Sequence, residues 1–177
     1  MDESIRSILC RHSWNEASGW ECWIIFSEDG GGRLMYRNQI TLFIVAQIQW
    51  RVLSDASLLD KPITGDQAED IGTPLEIEIT LTRDSPHWIG DRSKNNEHQL
   101  NDEAFLPKTY TVRLETGEFS PCGLRGVLVP ESAPKHKFRL VFDKSPLPSR
   151  EEWKRPTRAA AKFKPWEWTE FIGATRS

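Results

Sequence analysis

The stretch from Ile40 to Leu53 is the longest uninterrupted run with strand chemistry in the chain, and it alternates. Ile40, Leu42, Ile44, Ala46, Ile48, Trp50 and Val52 form a wholly apolar row, while Thr41, Phe43, Val45, Gln47, Gln49 and Arg51 form a mixed one. Successive side chains of a strand point to opposite faces, so this period of two predicts a β-strand. A helix is excluded on two grounds: β-branched residues crowd the run, and a helical wheel would scatter the glutamines among the isoleucines. At roughly 3.3 Å per residue the run would extend about 45 Å, longer than most strands, so strong twisting and a bulge are expected. Strands that twist in this way belong to closed barrels, and the row Ile40, Leu42, Ile44, Ile48 and Trp50 is expected to face the lumen.

The rest of the chain carries weaker copies of the same pattern. Trp20 to Phe26 places Trp20, Cys22, Ile24 and Phe26 on one face, followed by the turn-forming Ser27-Glu28-Asp29-Gly30-Gly31-Gly32 and a return through Leu34 to Tyr36. The glycine triplet lacks the Gly-Lys-Ser/Thr ending and the following helix that a phosphate loop requires. Leu75 to Arg83 alternates Leu75, Ile77, Ile79 and Leu81 with glutamates and threonines. Further strands are expected at Thr109–Glu115, Leu124–Val129 and Lys137–Asp143, separated by Gly117 and by Pro130 to Pro134. Trp166 to Gly173 closes the set, with Trp166, Trp168, Glu170 and Ile172 on one face. Residues 5 to 14 fit a strand or a short helical turn equally well, and Ser149 offers a cap for a turn over Arg150–Lys154. Two polar excursions interrupt the strands, Ser54–Pro74 and Asp84–Pro107, the second long enough to act as a lid.

About eight to ten strands joined by hairpin-like turns predict an all-β fold, an antiparallel barrel with one or two short helices. At 177 residues and 38% hydrophobic, the chain reads as a single β-barrel domain over residues 1–177.

Composition removes several function classes. A formal charge of −3 argues against a nucleic-acid partner, and the cations between Arg150 and Lys164 read as a solvated connecting segment. No apolar run approaches the roughly 20 residues of a membrane span, and Met1-Asp2-Glu3-Ser4 lacks the layout of a secretory signal, so no membrane partner and a cytoplasmic setting are expected. Cys10, Cys22 and Cys122 are too few and too scattered for a disulfide framework or a metal site, and read as buried thiols. Without a nucleophile elbow, a dinucleotide fingerprint or metal-ligand spacing, neither a metal nor an organic cofactor is expected.

Gly19-Trp20, the Phe26-Ser27-Glu28-Asp29-Gly30 turn, the long strand ending near Trp50 and the segment Phe142-Asp143-Lys144-Ser145-Pro146 give the chain a resemblance to the small lipocalin-like proteins of the calycin group, especially uncharacterised forms from filamentous fungi. The resemblance covers about Trp14 to Gly173. It implies a barrel enclosing a pocket for a small, largely apolar molecule. Some lipocalin-like proteins use such a pocket to guide an isomerisation or cyclisation without a cofactor.

If the apolar rows line the lumen, Trp20, Trp50, Tyr110 and Trp168 face inward and suit a planar or polycyclic ligand, although the same aromatics would also fill a small barrel. Glu170 shares the row of Trp168, and an inward carboxylate must be hydrogen-bonded, paired or kept protonated. His87 and Trp88, at the start of the second excursion, are placed to meet a ligand at the mouth, whereas His12, His98 and His136 read as surface residues. Two functions stay open: a module that binds a small hydrophobic molecule, or a cofactor-free isomerase or cyclase of a natural-product pathway in which Tyr110 and Glu170 move a proton.

Overall fold

The computed structural model describes residues 3–60, 62–63, 72–87, 89, 94–121, 133–156 and 162–176. Strands run over β1 (Glu3–Ser4), β2 (His12–Glu16), β3 (Cys22–Phe26), β4 (Gly31–Arg37), β5 (Leu42–Val52), β6 (Pro62–Ile63), β7 (Leu75–Leu81), β8 (Lys108–Phe119), β9 (His136–Phe142) and β10 (Glu170–Thr175). The short helices are α1 (Ile5–Arg11), α2 (Ser57–Asp60) and α3 (Asn95–Gln99). Eight of the strands close into an antiparallel barrel in the order β2-β3-β4-β5-β7-β8-β9-β10, with β10 returning to β2, while β1 pairs with β6 apart from it. The fold is the all-β closed barrel that the alternation calls for.

Residues 5 to 14 divide between the two open readings: a helix, then a strand. Ser4 caps α1 by accepting a hydrogen bond from Ser7 N, and Ile5, Ile8 and Leu9 form its buried stripe. A seven-residue helix is marginal alone, and its last four carbonyls need partners. Each has one: His12 Nδ1–H donates to Ile8 O (2.8 Å), Trp14 Nε1–H to Leu9 O (3.0 Å), the Arg176 guanidinium to Cys10 O (3.0 Å) and Arg176 N to Arg11 O (3.3 Å). His12 is therefore a buried capping group, not the surface histidine expected. Helix α1, packed against α2, closes this end of the barrel.

The middle of the barrel is a packed core. Trp14, Ile24, Ile44, Leu114, Leu140 and Phe171 point inward, are 0–1% exposed and belong to one packed cluster. Close packing also fixes Gly32, where a Cβ would sit 2.3 Å from Ile25 O and 2.9 Å from Ile48 Cγ1.

At the opposite end the long strand departs from simple alternation. Tyr36 stands opposite Ile44, but Arg37 stands opposite Leu42, so Phe43 is an extra residue in a bulge. Directly opposed residues share a face, so Leu42 leaves the lumen with Arg37 and the inward row begins only at Ile44. Ile40, expected to start that row, lies outside the strand and is 95% exposed. The expected bulge exists, and it reverses the parity of the residues before it.

Beside the bulge the barrel wall is completed by side chains. β5 pairs with β7 only from Ile48 to Val52, and Thr82 and Asp84 carry the ladder on to Gln47. Above that point Asn96 of α3, fully buried, stands in for a strand residue: its Oδ1 accepts from Val45 N (2.9 Å) and its Nδ2 donates to Val45 O (2.6 Å). Asn95 donates to Phe43 O, and Ser85 Oγ to Val45 O. The excursion after β7 is thus tied to the wall by α3.

Three further expectations change. β8 runs past Gly117 to Phe119, taking up a register shift where a break is expected. The strand expected at Leu124–Val129 lies outside the described residues. Pro165–Glu167 forms a 3-10 turn, so the last strand starts at Glu170 and its inward row is Phe171 and Gly173; Glu170 points outward.

Candidate functional site

The barrel end opposite α1 gathers the chemistry. Here the β2–β3 link, the bulge of β5 and the connection from β9 to β10 bring together Trp20, Tyr36, Phe43, Phe163 and Trp168. Tyr36 stacks on Phe43 with ring centroids 4.7 Å apart and meets Trp168 edge-on at 5.1 Å. Trp20 lies nearly parallel to Trp168 at 6.3 Å and against Phe163 at 4.1 Å. The bulge aims Phe43 at Tyr36; without the extra residue this aromatic would stay on the outer face.

Tyr36 is 1% exposed, and among the described residues its hydroxyl is a buried side-chain polar group with no hydrogen-bond partner. Leaving a buried hydroxyl unpaired costs about 1–3 kcal/mol, so native structures rarely tolerate one without a reason. Burial, and after it the neighbouring Cys22, push its pKa well above the ordinary tyrosine value, which keeps it a neutral phenol. Cys22 faces Tyr36 across the β3–β4 ladder, and its thiol is pushed well up by burial and then by Glu16. Glu16, at the inward end of the β2 row His12, Trp14, Glu16, is a buried carboxylate. It accepts from Ser18 Oγ (2.7 Å) and Trp20 N (3.3 Å). Phenol, thiol and carboxylate thus lie beside this aromatic cluster, a closed chamber whose rings are in contact with one another.

Phe163 and the turn before β10 form the cover of this chamber. Ser145 Oγ–H donates to Pro165 O (2.7 Å), and Trp168 N–H donates to the same carbonyl (3.2 Å), which fixes the 3-10 turn that carries Trp168. The turn is entered through Lys164, a non-glycine residue in the left-handed region at φ 48°. A β-carbon disfavours that conformation by about 1 kcal/mol, so the cover is held against local strain.

Sequence-expected residues are distributed unevenly. Trp20 and Trp168 do meet in the chamber. Tyr110 is buried at the same end but in a different setting: it meets Phe142 edge-on at 5.9 Å, with Lys144 Nζ 5.3 Å from its ring. Burial, then Glu152 and Asp143, raise its pKa. Glu152 itself holds Lys108 at 2.6 Å and caps the turn at Ser149, as the serine signal indicates. Trp50 is at the α1 end, where it meets Phe26 at 5.0 Å and donates from Nε1 to Ser27 O (3.0 Å), holding the β3–β4 turn. His87 is exposed, and Trp88 lies outside the described residues. Glu170, expected inside, stands on the outer wall in an ion pair with Arg139 (3.0 Å), which also binds Glu115 (2.6 Å).

The inward carboxylate is therefore Glu16, and the inward phenol of the chamber is Tyr36. Neither stands out in the sequence, although a signal for each is present in principle: His12, Trp14 and Glu16 alternate, and so do Leu34 and Tyr36. Short rows of two or three residues do not fix which face is buried. In comparisons with known proteins, the chain matches no family model, no curated protein and no solved structure.

Proposed function

We propose that this barrel binds a small, largely apolar molecule at the end opposite α1, between the aromatic cover and the packed core. The observation that carries the reading is the unpaired Tyr36 hydroxyl inside a cluster of aromatic rings. Ligand sites are mostly apolar and aromatic, with a few polar groups aimed at the occupant, and an orphaned buried hydroxyl is such a group. A closed eight-stranded barrel is a shape that can hold one small ligand, and the packed middle supports a site at the mouth. The strained Lys164 gives the cover a hinge through which a molecule enters. No helix among the described residues is long and apolar enough to cross a membrane, and the buried free thiols Cys10 and Cys22 suit a reducing, cytoplasmic setting.

The second reading is a cofactor-free isomerase or cyclase. Glu16 favours it, because a buried carboxyl group and a buried phenol at the same barrel end are two groups able to exchange a proton with one substrate. In that case Tyr36 and Glu16 take the roles that the sequence offered to Tyr110 and Glu170.

Tryptophan-quenching titrations with small planar compounds test the binding reading. Trp168→Ala removes the ring that covers Tyr36 and should weaken binding at least tenfold, whereas Trp50→Phe, at the opposite end, should leave affinity unchanged. Equal affinity of wild type and Trp168→Ala for every compound that binds would place the ligand elsewhere. Product analysis with wild type and Glu16→Gln separates the two functions, since only an enzyme loses turnover while still binding.

A further inference from the structure

Resting on the binding reading, we infer that the occupant is a neutral, planar, apolar molecule carrying a hydrogen-bond acceptor of the carbonyl class, received by the Tyr36 hydroxyl. The first ground is donor and acceptor inventory. A phenol offers one proton, and among the described residues nothing accepts it: the rings around it, Phe43 and Trp168, bring faces and edges but no oxygen. A ligand oxygen would remove a penalty that the protein otherwise carries. The second ground is shape. Phe43 is stacked on Tyr36 at an interplanar angle of 26°, and Trp20 on Trp168 at 13°, so once the cover lifts the site presents flat ring faces, against which a flat molecule packs more area than a globular one.

The third ground concerns charge. Glu16 is buried in the same wall and its field reaches Cys22. A ligand carboxylate or phosphate would meet that field without a buried cation to balance it among the described residues of the chamber, and its desolvation would go uncompensated. A hydrocarbon would fill the space but leave the hydroxyl orphaned. A neutral carbonyl satisfies the donor without adding charge. Burial reinforces the assignment, because a phenol held well above its usual pKa stays a donor throughout the ordinary pH range.

Ketone and hydrocarbon pairs of matched outline and rising size provide the test: 1-indanone against indane, and 9-fluorenone against fluorene, with fluorene-9-carboxylate as the anionic counterpart. Wild type should bind the ketone of a pair roughly tenfold or more tightly than its hydrocarbon, and the carboxylate more weakly than either. Tyr36→Phe removes one oxygen and should erase the preference while keeping hydrocarbon affinity. The infrared carbonyl stretch of the bound ketone is a second readout: it should shift to lower frequency in wild type and return toward its apolar-solvent position in Tyr36→Phe. Equal ketone and hydrocarbon affinity in wild type, or an unshifted carbonyl, overturns the inference and leaves the binding reading standing. If no member of any pair binds, the binding reading falls and this inference with it. If Tyr36→Phe binds nothing although it unfolds at the same urea concentration as wild type, Tyr36 shapes the chamber instead of donating to a ligand, and the inference is again overturned.

Discussion

Replacing Asn96 tests whether a side chain can substitute for a missing strand. Its amide makes both hydrogen bonds that a neighbouring strand residue would give Val45, at 2.9 and 2.6 Å, from a fully buried position. In Asn96→Ala the Val45 carbonyl keeps Ser85 Oγ at 3.2 Å, but the Val45 N–H loses its acceptor. An orphaned buried N–H costs about 1–3 kcal/mol and the lost amide contact adds to it, so an expected destabilisation of about 2–3 kcal/mol follows. Asn96→Asp is the sharper variant. One carboxylate oxygen can still accept from Val45 N, but the other is pressed against Val45 O with no proton between them. The aspartate is therefore driven toward its protonated form, its folded pKa rising above the unfolded value of about 3.9. A group whose pKa is raised on folding contributes fully below the unfolded pKa and loses that contribution as pH rises through the folded one. The gap between Asn96→Asp and wild type should thus be small at pH 4 and widen toward pH 7, by about 1.4 kcal/mol for every tenfold gain in the aspartate's proton affinity on folding. Urea unfolding followed by tryptophan fluorescence at the two pH values measures it. Asn96→Ala within about 0.5 kcal/mol of wild type, or an Asn96→Asp gap that does not change with pH, would refute the idea that this amide completes the wall.

Other outcomes follow from the same geometry. The chain has 2 tyrosines, Tyr36 and Tyr110, both buried with pKa values raised chiefly by burial, so absorbance near 295 nm should show no phenolate until the barrel unfolds. Stability should hold below the unfolded tyrosine pKa of about 10 and fall above it, and a smooth titration of either phenol in the folded state would contradict this. Gly32→Ala should be lost to misfolding or destabilised by about 3 kcal/mol or more, because its Cβ meets backbone at 2.3 Å; circular dichroism and thermal melting decide. Trp14→Phe gives up the bond to Leu9 O that caps α1 and should destabilise by about 1–3 kcal/mol in urea. Glu170→Gln, on the outer wall, should change stability by less than about 1 kcal/mol and leave ligand affinity as it was.

Long alternating rows were legible from the residues alone. Ile44 to Trp50, Leu75 to Leu81 and Phe138 to Phe142 each bury the face that their pattern names, because a period of two over several residues leaves one economical orientation. Legibility failed where one residue shifts the count. The insertion at Phe43 turned Leu42 outward, and the 3-10 turn at Pro165–Glu167 absorbed the residues expected to open the last strand, sending Glu170 out and Phe171 in. Neither event has a strong local signal, since bulges and short turns are stabilised by what they pack against. The candidate site was harder still. That the Tyr36 hydroxyl has no hydrogen-bond partner among the described residues depends on Phe43, Trp168 and Cys22 converging from three parts of the chain, which no spacing announces. Trp20, Trp50 and Trp168 were all named by the parity of their apolar rows; parity gives the face of a wall but not the end of a barrel, and Trp50 lies at the end opposite to the other two.

The seam between β10 and β2 orders the assembly of the chain in time. Every other pair of barrel neighbours is consecutive among the wall strands, so most of the wall can zip up through hairpins with modest loop entropy. The seam instead joins Phe171 to Glu16 and Thr175 to His12, and Arg176 reaches back across 166 positions to Cys10. Those contacts become available only when the curved sheet has nearly met itself. Two of the four carbonyls at the end of α1 take their donors from Arg176, so the plug is finished by the same event that shuts the wall. An open intermediate would carry an unpaired strand on each flank and a frayed helix between them. Closure pairs both strands and finishes the helix in one set of contacts, so the two edges that could otherwise pair with another chain disappear together.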